Sequence, residues 1–143
     1  MERRDFIKSS CNACLLAATG YFLSEMSACS PSTYHVFKAE IINEEIQVPV
    51  ASFTQYTMQI VRPKGWFYDI AVQKKEDNTY QALLMQCTHQ KNQLTQTGNG
   101  YLCSLHGSQF DKNGKVTKGP AENALKQYTT SINQDNLIIH LKP

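Results

Sequence analysis

The sequence predicts an all-β body of short strands behind an N-terminal leader. Three observations predict it. Apolar residues alternate with polar ones in short runs, clusters rich in Gly, Pro, Asn and Asp separate the runs, and no sustained helical period runs through the body. Ala121 to Tyr128 is the one stretch that could make a helical turn. With 143 residues the chain has room for a single domain with one modest core plus a leader.

Residues 1–29 read as the leader. MERRDFIKSS carries paired arginines ahead of Phe6, Ile7 and Lys8, and an apolar run follows through Leu15, Leu16, Tyr21, Phe22 and Leu23. This pattern resembles a twin-arginine export signal, which implies a protein that folds before it crosses the membrane. The run is broken by Asn12 and ends near Glu25, short of the roughly 20 apolar residues of a spanning helix. Met26, Ser27 and Ala28 precede Cys29 and resemble a lipoprotein processing site, so lipid on Cys29 or an uncleaved leader would tie the protein to the membrane. Cys11 and Cys14 form a CxxC inside the signal, where it is incidental.

Residues 30–33 are small and polar and read as a linker, and the domain spans 34–143. Tyr34 to Ile42 and Ile46 to Phe53 read as strands, the second an edge because Pro49 cannot donate to a ladder. Tyr56 to Val61 continues the pattern up to the Pro63-Lys64-Gly65 turn. Trp66 to Gln73 and Thr79 to Gln86 flank a polar hairpin loop at 74–78. Asp111 to Gly114 is a tight turn, and Gly119-Pro120 marks a second loop. Gln127 to Asn133 and Leu137 to Leu141 close the chain as a hairpin that pairs best with the early strands.

Between these halves lies CTHQKNQLTQTGNGYLCSLHGSQF, residues 87–110. Cys87 and His89 form one short cluster, Cys103 and His106 a second, and two such loops can converge on one metal centre. Of five cysteines, only these two fall in the body, so no disulfide framework is indicated. They could form one bridge, but a histidine close beyond each favours a metal. His35 and His140 stand apart and read as ordinary strand or surface residues. The formal charge is +2, and beyond residue 28 eleven Lys/Arg face nine Asp/Glu. No basic stripe with interleaved aromatics suggests nucleic acid as a partner.

The CxH…CxxH pattern, with CTH, CSLHGS and the following Gly119-Pro120, resembles the Rieske 2Fe-2S family over residues 34–141. That resemblance implies an antiparallel β sandwich with a cluster-binding subdomain of two loops, about residues 86–120, and one 2Fe-2S cluster per chain. Cys87 and Cys103 would bind the inner iron as thiolates, and His89 and His106 the outer iron. Neutral imidazoles leave the cluster less negative than four thiolates would, which raises its potential. Ser108 matches a serine whose hydroxyl donates to a bridging sulfide.

The departures from the family pattern narrow the reading. High-potential members resemble CTHxxC with CPCH, whose extra cysteines bridge the loops. Here Asn92 and Leu105 hold those places, so packing and hydrogen bonds must hold the loops together. Phe110 stands where such members carry a tyrosine that donates to a cysteine sulfur, and the span between the cysteines is somewhat short for the family. Gln90, Lys91 and Asn92 give a polar tip, which suits a redox protein partner better than an apolar quinol pocket.

These features suggest an electron carrier outside the cytoplasm, either discrete or a small subunit of an oxidoreductase, with a cytochrome or quinol-linked complex among its conceivable partners. One alternative is the Rieske subunit of a quinol-oxidising bc-like complex, favoured by Ser108, HGSQFD and Gly119-Pro120. A third, of another class, is a binding module stabilised by zinc, since Cys2His2 also suits tetrahedral zinc. No nucleophile, acid-base pair or phosphate loop suggests an independent catalytic site.

Overall fold

The structure is a computed structural model that describes residues 34–142. The expected export signal, the expected Cys29 processing site and the expected linker lie outside the described residues. Twelve strands follow one another: β1 (His35–Ala39), β2 (Ile41–Ile42), β3 (Glu45–Pro49), β4 (Met58–Pro63), β5 (Ile70–Lys74), β6 (Tyr80–Leu84), β7 (Thr95–Thr97), β8 (Gly100–Leu102), β9 (Gln109–Asp111), β10 (Val116–Lys118), β11 (Gln127–Asn133) and β12 (Asn136–His140). Eight of them form one sheet in the order β1-β4-β5-β6-β11-β12-β3-β2, and the other four a second sheet in the order β10-β9-β8-β7. The all-β expectation holds, and the closing hairpin pairs with an early strand, β12 against β3.

Several boundaries differ from the sequence reading for identifiable reasons. Tyr34 to Ile42 is two strands. The first, β1, runs parallel to β4, with His35 opposite Gln59 and Ala39 opposite Pro63. After Glu40 the chain changes partner, and β2 folds back on β3 through Asn43 and Glu44, both left-handed (φ 52° and 63°), as a two-residue hairpin allows. The next strand stops at Pro49, and Val50–Phe53 is a 3-10 turn that lays Phe53 edge-on against Tyr80, 5.0 Å between ring centroids. Pro49 pairs only with Asn136, because β2 covers no more than Glu45 and Ile46, so its missing N–H leaves no gap on the open side. Ala121 to Tyr128 makes no helical turn. It buries Ala121 and Leu125, and Leu125 N–H donates to the Gly114 carbonyl at 2.8 Å.

The middle strands show why period-two patterning weakens here. Ile60 and Val61, Ile70 to Val72, and Ala82 to Leu84 are buried consecutively because β4, β5 and β6 are covered on both faces. Val61, Ile70, Val72, Ala82 and Leu84 turn toward the main core, with Ile46, Val48, Leu137 and Ile139. Ile60, Ala71 and Leu83, with Met85 just beyond β6, turn the other way, onto Leu94, Tyr101, Phe110, Ala121, Leu125 and both cysteines. Burying a large apolar side chain contributes about 1.5–3 kcal/mol, so this second core seats the small sheet and its loops firmly on the scaffold.

Candidate metal centre

The two Cys/His loops are built alike. In the first, Cys87 N–H donates to the Asn92 carbonyl and Lys91 N–H to the Cys87 carbonyl, both at 2.8 Å. In the second, Cys103 N–H donates to the Ser108 carbonyl at 2.8 Å and Gly107 N–H to the Cys103 carbonyl at 2.9 Å. Each loop needs a left-handed residue four places after its cysteine. Gly107 (φ 77°) fills that place in one and Lys91 (φ 52°) in the other.

This shared geometry sorts the four candidate ligands by depth. Cys87 and Cys103 are buried, each 1% exposed, and neither is in a disulfide. His89 and His106 are exposed, and their rings stand edge to face with centroids 5.0 Å apart. Burial pushes the Cys103 thiol up, but the backbone N–H groups of Leu105 and His106, with the Cys87 and Asn92 side chains, outweigh it and hold its pKa below the ordinary thiol value. Such a site favours thiolate, the form that binds iron.

Among the described residues, no three His, Cys, Asp or Glu side chains gather closely enough for a single ion. The donors form a buried thiol pair and an exposed imidazole pair, a division that fits a 2Fe-2S cluster with unlike ligands on its two irons. Ser108 fits the same centre. Its side chain is wholly buried, and its oxygen accepts the Ala121 N–H at 3.0 Å, which leaves the hydroxyl proton without a protein acceptor among the described residues. A bound 2Fe-2S cluster would supply an acceptor for it. Phe110 lies buried in the second core, opposite Tyr101 in the β8–β9 pair.

Supports that the sequence did not disclose hold the loops from outside. Tyr68 Oη donates to the Lys91 carbonyl at 2.5 Å, and Asp69 N–H reaches Gln93 Oε1 at 3.2 Å. Arg62 in turn grips both Asp69 oxygens, at 2.8 and 2.7 Å. Residues 66–69, expected as strand, therefore form a brace for the first loop, and β5 begins only at Ile70. Thr88 Oγ1 donates to the Asn123 carbonyl at 2.7 Å, so Thr88 and Ser108 both pin the segment after Gly119-Pro120. The tip is also less uniformly polar than expected: Gln90 and Lys91 are exposed, but so is Leu105, at 55%, beside His106. His140 lies away from this centre, on β12, between Glu45 (Nδ1 to Oε1, 3.0 Å) and Ser131 (Nε2 to Oγ, 2.8 Å).

A β scaffold that presents a buried thiol pair and an exposed imidazole pair on two matching loops is the arrangement that an iron-sulfur protein of mixed ligation would need. The chain belongs to the Rieske 2Fe-2S domain family, whose profile matches residues 40–129, and the family's cofactor is a 2Fe-2S cluster. Over 41 residues it is 46% identical to the cytochrome b6-f complex iron-sulfur subunit of Prochlorococcus marinus, a match covering 29% of this chain and 23% of that one. The subunit of the same name from Trichodesmium erythraeum is 37% identical over 54 residues, 36% of this chain and 30% of the other. The matches thus span under a third of these relatives. Among solved structures, the plasma membrane Rieske protein PetC3 from Synechocystis PCC 6803 has a TM-score of 0.52 at 23% identity, covering 64% of this chain and 93% of the other. A naphthalene 1,2-dioxygenase with indole in its active site has a TM-score of 0.54 at 19% identity, covering 68% and 26%. These two likenesses show the fold alone.

Proposed function

We propose that this protein transfers single electrons outside the cytoplasm through a Rieske 2Fe-2S cluster bound by Cys87, His89, Cys103 and His106. The observation that carries the reading is the division of the four side chains by depth, thiols buried and imidazoles exposed. When bound, the cluster supplies one-electron redox chemistry. The protein's part is to seclude Cys87 and Cys103 from water, to donate the Ser108 hydroxyl proton toward the cluster, and to present His89 and His106 to a partner. Each exposed imidazole, bound through one ring nitrogen, would keep its other nitrogen near solvent.

Purified protein should absorb in the visible and give a rhombic paramagnetic signal when reduced. Cys87→Ser and His106→Ala should each abolish both. A colourless protein holding one zinc and no iron would overturn the assignment in favour of the zinc module. The export reading rests on Arg3 and Arg4, and changing both to Lys should retain the protein in the cytoplasm on cell fractionation. The same fractionation, with the mass of the processed N-terminus, decides among a lipidated Cys29, a retained leader and a cleaved signal.

A discrete carrier or small oxidoreductase subunit that docks a redox protein suits the polar Gln90 and Lys91. A second reading, the Rieske subunit of a quinol-oxidising complex, is supported by the similarity to cytochrome b6-f iron-sulfur subunits and by the exposed Leu105 beside His106. Quinol-dependent reduction in solubilised membranes, abolished by deleting this chain, would favour the second. Pull-down of a soluble redox protein without cytochrome b would favour the first.

A further inference from the structure

We propose that Asn92 is a positioning residue for the cluster, its side-chain amide joining the two loops by donating an N–H to the Cys103 sulfur. The inference rests on the proposed ligation by Cys103 and deepens it. Asn92 Nδ2 lies 3.9 Å from Cys103 Sγ, at the long end of a contact to sulfur, and 3.3 Å from the Gln93 carbonyl. An amide has two N–H donors, so both contacts can be made at once. The Asn92 carbonyl also accepts the Cys87 N–H at 2.8 Å. One half-buried residue therefore touches both cysteines, Cys87 through its backbone and Cys103 through its side chain.

This residue stands where relatives with bridged loops carry a cysteine. The covalent tie is replaced by a weaker one that does something a disulfide does not. A donor to a ligand sulfur draws charge from it, which favours the reduced cluster and raises its potential. Phe110 has no polar hydrogen to offer, so the side-chain donor to cysteine sulfur comes from the opposite loop. The backbone N–H groups of Leu105 and His106 act on Cys103 from its own loop, and the Asn92 amide, like the Cys87 side chain, acts from the opposite one.

The test uses the full chain with its cluster. Asn92→Leu keeps the branched skeleton and removes the donor, and Asn92→Val is a shorter variant without a donor. Protein-film voltammetry should read a lower potential in both. Resonance Raman should show that the shift of the iron–cysteine vibrations on transfer to D2O is smaller than in the unaltered protein. Loosened loops alone would not produce that isotope effect. An unchanged potential and an unchanged isotope shift, in either variant that takes up cluster, overturn the proposal. Cys103→Ala separates this failure from failure of the ligand assignment: if Cys103→Ala keeps the visible spectrum, Cys103 is not a ligand, and if it loses the spectrum while the Asn92 variants are unchanged, only the role of Asn92 fails.

Discussion

Lys91 and Gly107 occupy the same place in two matching loops, each left-handed and each donating its N–H to the carbonyl of the cysteine four residues earlier. The chain thus solves one geometric problem twice, once with glycine and once with a residue that resists that conformation. A left-handed non-glycine residue costs about 1–2 kcal/mol, and glycine gives back about 0.5–1 kcal/mol through its freer unfolded state. Lys91→Gly should therefore be neutral or stabilising by up to about 1.5 kcal/mol. A Cβ built on Gly107 meets nothing within 4 Å, so Gly107→Ala should lose only the conformational preference, about 1 kcal/mol. Urea unfolding followed by circular dichroism would measure both. A loss in Lys91→Gly larger than in Gly107→Ala would mean that the lysine side chain, and not the turn, matters there.

Ser108 and Phe110 should move the potential in opposite directions. Ser108→Ala removes the hydroxyl proton that has no protein acceptor and should lower the potential. It also strands the buried Ala121 N–H, at a cost of about 1–3 kcal/mol in stability. Phe110→Tyr adds a phenol where related high-potential sequences carry one, and should raise the potential. Voltammetry of the two variants, each with its unfolding curve, separates the electronic effect from the structural one. Rieske centres span about −150 to +300 mV, and with one side-chain donor kept at Ser108 and one absent at Phe110, this centre should fall between the extremes.

Those two positions show what the sequence could disclose. The candidate ligands and Ser108 could be nominated from the sequence because each short spacing lies within one loop. The all-β class was legible because alternation and turn residues are local. Partner choice between strands is not local, so the break at Glu40 and the parallel β1–β4 pair were hidden. The same holds for the Tyr68 hydroxyl on Lys91, 23 residues away in sequence, and for the Ala121 N–H on Ser108. Nothing in YDI or GPA marks either partner. Asn92 lies between these cases: its difference from the family pattern was visible, but its contact with Cys103 needed the fold.

Gly100 should tolerate no side chain. It pairs with Asp111 across β8 and β9, and a Cβ built there would lie 2.0 Å from the Phe110 carbonyl oxygen. Backbone cannot yield as a flexible side chain does, so Gly100→Ala must spread the hairpin that carries Tyr101 and Phe110 into the second core. A loss of more than about 3 kcal/mol is expected, with cluster lost at milder denaturant than in Gly107→Ala. Near-equal midpoints for the two variants would count against this close approach.

Tyr101 makes stability depend on alkaline pH. Burial, with the nearby Asp111 carboxylate, pushes its phenol up to about 12 from an ordinary value near 10. Below the unfolded value both states hold the proton, so the full contribution is present. Between roughly pH 10 and 12 the unfolded chain has released it while the native protein keeps it, and stability falls as pH rises. Two pH units correspond to about 2–3 kcal/mol at most. Tyr128, raised in the same direction by burial, adds to the same limb. Unfolding curves at pH 9 and pH 11.5 should show a smaller loss for Tyr101→Phe than for the unaltered protein. Equal losses would place the alkaline sensitivity elsewhere than in the core beneath the cluster loops.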